Sequence, residues 1–305
     1  MVSSSALHQV VCFGEILWDI LPDKSLPGGA PMNVAYHLKK LGLQPALITR
    51  IGNDNYGKAL VEMLASNQLN TDFVQVDQQG HETGLVHAHV GANNEVSYDI
   101  VYPSAWDFIE WQADYHSLVE QAAYLVFGSL AARNQVSRDT LYQLLETAEK
   151  KVLDINLRPP HYDQAIVEQL LHKADLLKLN ESELNIIAGW YGSSTQKEAQ
   201  IQLLQDRFQL ETVIVTMGGE GAMVAGEGRY FYNAGYKIQV ADTIGSGDAF
   251  LAGFLYQLYN QAPLQAALDY ASGLGALIAT YDGACPDYDP AQINTLVLAR
   301  EQPHI

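Results

Sequence analysis

The sequence lacks most of the features that mark membrane, secreted and metal-binding proteins. It has two cysteines in 305 residues, and neither belongs to a C-x-x-C or Cys/His pattern, so Cys12 and Cys285 are expected to be reduced structural thiols. No apolar run reaches the ~20 residues that cross a bilayer. The opening MVSSSALHQV has neither the charged nor the apolar region of a secretory signal. We therefore expect a cytoplasmic protein.

Positive charge is also scarce. Lys and Arg together number 17 against 35 Asp and Glu, which gives a formal net charge of −18, and the few bases form no run. Such a chain repels nucleic acid and anionic lipid, so neither is expected as a partner. With 48% hydrophobic and 17% charged residues the composition is that of an ordinary globular protein.

Several common catalytic motifs are missing. The chain has no G-x-x-x-x-G-K-[ST], and its first strand, in VVCFGEILWD, is not followed by G-x-G-x-x-G, which excludes a P-loop protein and disfavours a dinucleotide-binding dehydrogenase. Neither G-x-S-x-G nor H-E-x-x-H occurs, so the sequence fits no common hydrolase template.

What the chain does have is a regular alternation of strand and helix patterns. Apolar runs such as VVCFGEIL (10–17) and PALITRIG (45–52) alternate with amphipathic segments such as MNVAYHLKKLG (32–42). The alternation continues to TVIVTMG (212–218) without a linker or an internal repeat. This pattern predicts one α/β domain spanning residues 1–305, with a mainly parallel sheet covered by helices on both faces.

One region departs from this alternation. Residues 83–102, TGLVHAHVGANNEVSYDIVY, alternate residue by residue around a GANNE turn, which predicts an antiparallel hairpin with one polar face. A hairpin inserted among βα units is a candidate lid or dimer element. His87 and His89 share one face of it, but no third ligand is near in sequence, so we expect solvated or lid-lining side chains rather than a metal site.

A glycine turn stands out near the end of the chain. In ADTIGSGDAF (241–250), a strand-like run YKIQV (236–240) precedes two glycines, and a helical pattern follows them. A helix N-terminus at the end of a strand offers free amides to an anion such as phosphate. Asp248 lies inside this site, either as a base that accepts a proton from a nucleophile or as a helix cap. Spacing alone favours neither.

Six segments in order resemble the signatures of the PfkB carbohydrate kinases. The resemblance implies an α/β fold of the ribokinase-like type, a three-layer α/β/α sandwich with a mainly parallel central sheet and a small β-sheet lid built from about 17–27 and 83–105. Ser246 replaces the alanine that is usual in the glycine turn. The segments are FGEILWDILPD (13–23), GGAPMNVAYHLKKLG (28–42), LKLNESEL (177–184), VTMGGEGAM (215–223), DTIGSGDAFLAGF (242–254) and GALIATYDGACP (275–286).

Within this family three details are similar to fructokinases. They are GGAPMNVA, DINLRPP (154–160) and YDIVYPSAWDFI (98–109). They imply transfer of phosphate from ATP to a hydroxyl of D-fructose, giving fructose 6-phosphate. Kinases of 2-keto-3-deoxygluconate share the Asn-x-Arg feature, so that sugar acid and then ribose are the alternative substrates. A sugar- or nucleotide-binding regulator without catalysis is the alternative of another class.

The resemblance also implies roles for residues at the sugar end of the site. Asp248 is the base for the sugar hydroxyl, and the amides of Gly245, Ser246 and Gly247 stabilise the transferring phosphoryl group. The implied sugar ligands, with Asp248, are Asp19, Gly29, Asn33 and Arg158. Asn33 as a helix cap and Arg158 in a surface ion pair are the simpler alternatives.

At the nucleotide end the resemblance implies ATP and Mg²⁺. Glu183 supports Mg²⁺ through water, and Asp242 helps to bind a monovalent cation such as K⁺. Asn180 and Glu183 are also spaced as an ordinary capping pair. Gly273, Gly275 and Ala276 are expected to pack beside the adenine, and the resemblance implies a homodimer through the lid. The residues expected to contact ATP are Asn180, Thr216, Gly218, Gly219, Gly221 and Gly247.

Overall fold

The structure, a computed structural model, describes residues 8–90 and 96–301. Strands and helices alternate along this part of the chain. The strands are β1 Val10–Phe13, β2 Leu17–Ile20, β3 Ser25–Gly28, β4 Pro45–Ile51, β5 Val74–Val76, β6 Gly84–Val90, β7 Val96–Ile100, β8 Tyr124–Gly128, β9 Lys151–Asp154, β10 Leu176–Asn180, β11 Thr212–Thr216, β12 Ala222–Gly226 and β13 Arg229–Asn233. The helices are α1 Ala30–Lys40, α2 Asn55–Ser66, α3 Asp114–Gln121, α4 Gln135–Thr147, α5 Gln164–Leu171, α6 Glu181–Gly189, α7 Lys197–Phe208, α8 Ser246–Tyr259, α9 Leu264–Ile278 and α10 Ala291–Glu301.

A nine-stranded sheet in the order β13-β12-β11-β10-β9-β8-β1-β4-β5 forms the centre of the described residues. The seven strands from β11 to β5 pair in parallel, and the hairpin of β12 and β13 adds two antiparallel strands at one edge. The predicted mainly parallel sheet is therefore confirmed. Its parallel strands have their carboxyl ends at the same edge, where ligands bind in open α/β sheets.

Both faces of this sheet are buried by helices. Val11 and Phe13 of β1 pack with residues of α3 to α7, whereas Val10 and Cys12 pack with residues of α1, α2, α8 and α9. All four side chains are fully buried, which is why the strand is a continuous apolar run. The predicted three-layer α/β/α architecture follows from this packing. Burial raises the pKa of the Cys12 thiol, as expected of an unreactive structural cysteine.

A separate four-stranded sheet has the order β3-β2-β6-β7. Strands β6 and β7 form the predicted antiparallel hairpin, and β2 joins it through parallel pairing with β6. We call this the lid sheet. The GANNE turn, with Asn93 and Asn94 at its tip, and the side chain of His89 lie outside the described residues. No group of three or more metal-ligating side chains occurs in residues 8–90 and 96–301.

Two further expectations can be compared with the fold. The run YKIQV (236–240) is not a strand, because β13 ends at Asn233 and the chain then passes along a cavity lined by Tyr236, Ile238 and Val240. Across the described helices, none has the length and apolar character needed to cross a membrane.

Candidate active site

The predicted sugar-site residues meet at the carboxyl edge of the parallel strands. They line a cavity of about 540 Å³ between the main sheet and the lid sheet. It is the larger of two adjoining cavities, and we call it the larger cavity. Val86, Tyr98 and Ile100 of β6 and β7 form its lid side. The residues brought together there are Asp19, Gly29, Asn33, Arg158, Gly245, Gly247 and Asp248.

A second cavity of about 460 Å³ adjoins the first. The two cavities share Thr216, Thr243 and Gly247. Gly275 and Ala276 of α9 line the second cavity as expected, whereas Gly273 packs against Val297 and Ile293 of α10 and does not line it. The expected ATP residues Thr216, Gly218, Gly219, Gly221 and Gly247 all line the second cavity, whereas Asn180 lines the larger one.

The glycine turn begins α8. Gly245 is the N-cap residue with a φ of 75°, and α8 starts at Ser246, so Asp248 lies in the first turn and is not the cap. The helix-cap interpretation of Asp248 is therefore wrong. A Cβ atom on Gly245 would lie 2.5 Å from the Cα of Ala284, so both its backbone conformation and its surroundings require glycine. The Ser246 amide donates a long hydrogen bond of 3.3 Å to the Thr243 carbonyl.

Asp248 and Asn33 are 215 residues apart in sequence and form a direct hydrogen bond. The Nδ2 of Asn33 donates to the Oδ2 of Asp248 at 2.8 Å. Helix α1 is capped by Gly29, so Asn33 lies inside the helix and the cap interpretation of Asn33 is wrong as well. The Sγ of Cys285 donates to the Oδ1 of Asn33 at 3.3 Å, which orients its amide group toward Asp248.

The loop that carries Cys285 is fastened to α1. The hydroxyl of Tyr36 donates to the Pro286 carbonyl at 2.7 Å, and His37 Nε2 lies 2.9 Å from the Ala284 carbonyl. Burial lowers the pKa of His37 to about 4, so the ring is neutral. Because a carbonyl only accepts, Nε2 carries the proton, and Nδ1 accepts from the Tyr288 hydroxyl at 3.2 Å.

Burial also perturbs the acidic groups of the larger cavity. It raises the pKa of Glu15 to about 7, against the opposing charge of Arg158. It raises the pKa of Asp19 to about 6, again with Arg158 opposing the shift. Within residues 8–90 and 96–301 Arg158 forms no ion pair at contact distance, so the surface ion-pair interpretation of this residue is wrong.

The pKa of Asp248 is raised to about 6. Burial is the main cause, and the charge of Asp154 adds to it, whereas Lys178, Asn33 and Arg158 act in the opposite direction. A carboxyl group with this pKa is a better proton acceptor than an ordinary aspartate and is still ionised at neutral pH. Position, contacts and pKa all suit a base.

Asn180 and Glu183 form a reciprocal capping box at the start of α6. Glu183 N donates to Asn180 Oδ1 at 2.9 Å, and Asn180 N donates to Glu183 Oε2 at 2.8 Å. Glu183 Oε1 also accepts from the Leu157 amide at 2.9 Å. Both side chains line the larger cavity, and each carboxylate oxygen keeps a lone pair for water, so the arrangement fits the predicted magnesium role, which stays a prediction.

Asp242 links two loops beside the glycine turn. Its Oδ1 accepts from the Ile244 amide at 3.0 Å and its Oδ2 from the Gly283 amide at 3.2 Å. This contact explains the residue structurally, and its role toward K⁺ stays a prediction.

Three charged residues at the site were missed from the sequence. Lys178 lies in the apolar strand β10 and pairs with Asp154 of β9, and Glu15 follows β1 and lines the larger cavity. The sequence did contain an indication of these residues, namely a charged residue inside an apolar run such as LLKLN or CFGEIL. Such a charge is expected to be buried, and a buried charge needs a partner or a function.

This geometry, two joined cavities with a buried base at their junction, is that of an enzyme that transfers a group between two bound molecules. The chain belongs to the pfkB family of carbohydrate kinases, whose family description matches residues 9–291. It is an enzyme of this class, with a ribokinase-like fold.

Several similar proteins are named fructokinases. The chain is 31% identical over 314 residues to "Probable fructokinase-6, chloroplastic" of Arabidopsis thaliana, covering 91% of this chain and 79% of that protein. It is 28% identical over 304 residues to the fructokinase of Escherichia coli, covering 90% and 94%. The fructokinase of Vibrio cholerae O395, solved with fructose, ADP and calcium ion, has a TM-score of 0.81 at 30% identity and covers 96% and 100%.

Proposed function

We propose that this carbohydrate kinase phosphorylates D-fructose with ATP to form fructose 6-phosphate. The observation that carries the proposal is the position of Asp248, which lines the larger cavity. The preceding residue, Gly247, lines both cavities, so Asp248 lies next to the junction between them. We assign fructose to the larger cavity and ATP to the second. The names of the relatives at 27–31% identity support the choice of fructose.

The reaction follows from these positions. Asp248 takes the proton of the sugar hydroxyl as the hydroxyl oxygen bonds to the γ-phosphorus, while the bond from that phosphorus to the bridging oxygen breaks and ADP leaves. The amides of Gly245, Ser246 and Gly247 would stabilise the charge that develops on the phosphoryl oxygens. The Ser246 amide would then exchange its long hydrogen bond to the Thr243 carbonyl for one to the phosphoryl group. Asp19, Gly29, Asn33 and Arg158 orient the sugar.

The proposal includes two metal-ion sites. Glu183, with Asn180, would hold Mg²⁺ through water, and Asp242 would contribute to a K⁺ site. When bound, Mg²⁺ neutralises charge on the ATP phosphates. The calcium and potassium ions named in two Vibrio cholerae fructokinase structures support a cation in this family, although they belong to that protein.

Fructose is expected to give the highest kcat/KM among fructose, 2-keto-3-deoxygluconate, ribose, mannose, glucose and adenosine. The measurement is ADP release in a coupled assay, with the phosphorylated position identified by NMR. If 2-keto-3-deoxygluconate or ribose is preferred by more than about tenfold, which is ~1.4 kcal/mol of transition-state binding, fructose is the wrong substrate and the kinase class still stands.

The lid sheet is expected to exclude water from the phosphoryl group. Val86 and Ile100 are buried and face the larger cavity, so replacing residues 86–100 by a short Gly/Ser linker removes one of its walls. We expect KM for the sugar to rise by about tenfold, corresponding to ~1.4 kcal/mol of lost binding. We also expect a higher ratio of ATP hydrolysis to sugar phosphorylation.

The matched control for the lid is deletion of Asn93 and Asn94 at the predicted tip, which should alter neither value. An unchanged KM and hydrolysis ratio in the linker variant would remove the lid role. Melting curves on both proteins establish that the main sheet is folded.

A further inference from the structure

A buried ion pair lies beneath the glycine turn. Lys178 Nζ is 2.9 Å from both Oδ1 and Oδ2 of Asp154, and the two side chains are 9% and 5% exposed. Burying two charges is costly, and an apolar pair of similar size is often as stable or more stable. We therefore expect this ion pair to have a function other than stabilising the fold.

Lys178 is placed to reach a ligand. It lines the larger cavity together with Gly245, Gly247 and Asp248, whereas Asp154 does not line it. A Cβ atom on Gly247 would lie 3.3 Å from Lys178 Nζ, so the ammonium group is directly beside the glycine turn. An ammonium group has three N–H donors, and the two contacts with Asp154 leave one for the cavity.

We propose that Lys178 is a further catalytic residue, whose ammonium group contacts the transferring phosphoryl group, and that Asp154 is the positioning residue that holds Lys178 beside the glycine turn. The inference rests on the proposed function, since it requires ATP in the second cavity and Asp248 as the base. A positive charge fixed at this point stabilises the charge of the transition state without reorganisation during the reaction.

Charged and polar groups face Asp248 from every element around it. They are Glu15 after β1, Asn33 of α1, Asp154 of β9, Arg158 after β9, Lys178 of β10 and Cys285 after α9.

The first test removes the ammonium group without leaving a buried charge. Lys178→Met alone and the double variant Asp154→Leu/Lys178→Met are compared with wild type in single-turnover phosphorylation of fructose by MgATP. We expect kcat to fall by about 10²–10³-fold in both, the range for loss of one preorganised transition-state donor, with KM for fructose within about threefold of wild type. The double variant should keep its melting temperature, because its partners are both apolar.

A purely structural ion pair gives a different result. In that case the folded double variant recovers turnover, and a kcat above about a tenth of wild type overturns the proposal. The control is Lys150→Met, which breaks another two-point lysine–carboxylate pair, between Lys150 and Glu211, with both contacts at 2.7 Å. This pair is exposed and lies at the opposite edge of the sheet. Its turnover should equal that of wild type.

The second test uses the pH dependence of kcat/KM for fructose. Lys178 lowers the pKa of Asp248 and Asp154 raises it. The acid limb, which requires ionised Asp248, should therefore move to higher pH in Lys178→Met and to lower pH in Asp154→Asn. Shifts in the same direction, or none, would contradict the assignment of both residues.

The experiments distinguish failure of the roles of Lys178 and Asp154 from failure of the proposed function. A wild-type enzyme that phosphorylates none of the sugars contradicts the function itself. A wild-type enzyme that is active on fructose and inactivated by Asp248→Asn, but keeps its turnover in the folded double variant, contradicts only the role of Lys178 and Asp154.

Discussion

Replacing Asp248 by asparagine is expected to lower kcat for sugar phosphorylation by about 10²–10⁴-fold, because asparagine keeps the size of the side chain and cannot take the proton. ATP affinity should be retained or improved, since a negative charge beside the phosphate is removed. Single-turnover kinetics and ATP titration calorimetry measure the two quantities. A folded variant that keeps more than about a tenth of wild-type kcat would contradict the mechanism, because loss of a general base lowers kcat by at least about 10²-fold.

The control for this substitution is Asp163→Asn. Asp163 is a true helix cap, whose carboxylate accepts from the amides of Ala165 and Ile166 at the start of α5. Asparagine caps helices about as well as aspartate, so melting temperature and turnover should both stay near wild type. The contrast between the two aspartates separates capping from proton transfer.

Replacing Gly245 by alanine is expected to lower kcat by about 10²–10³-fold, because the amides of the turn are displaced from the transferring phosphoryl group. The added Cβ would lie 2.5 Å from the Cα and Cβ atoms of Ala284, so the turn or the loop must shift. The melting temperature should fall as well. Turnover and thermal unfolding of the purified variant measure both effects.

Gly228→Ala isolates the backbone part of this effect. Gly228 has a φ of 72° in the turn between β12 and β13, and an added Cβ would meet nothing within 4 Å. Alanine in this left-handed conformation costs about 1–2 kcal/mol of stability. Gly228→Ala should therefore lower the melting temperature and leave turnover unchanged. If Gly245→Ala behaves in the same way, the glycine turn does not act as the anion site.

The gathering of the site residues was predictable from the sequence, for a simple reason. Arg158, Asn180 and Asp248 each lie at or after the end of an apolar strand or a glycine turn, and the carboxyl ends of parallel strands meet at one edge. Asp19 instead lies within β2 of the lid sheet and lines the same cavity from that side. The family resemblance then assigned roles to these positions. Local pattern and topology were enough because each residue is placed by its own strand or turn.

Pairwise contacts were not predictable in this way. The Asn33–Asp248 hydrogen bond joins residues 215 apart, and the Lys178–Asp154 ion pair joins neighbouring strands whose register the sequence does not specify. The cap interpretations of Asn33 and Asp248 were wrong because the N-cap residues are glycines with positive φ, Gly29 four residues before Asn33 and Gly245 three residues before Asp248. Helix boundaries are the part of a sequence pattern that is least well defined.

The fastening of loop 284–288 to α1 has a consequence for the timing of assembly. His37 and Tyr36 hold this loop to the helix that carries Asn33, and Ala284 of the same loop packs on Gly245. Helix α1 and the glycine turn are thus held together through this loop, and under the proposed function much of the entropic cost of orienting two reactants is met before either one binds. We expect the lid sheet to add contacts with the sugar and to exclude water at a site that is already assembled.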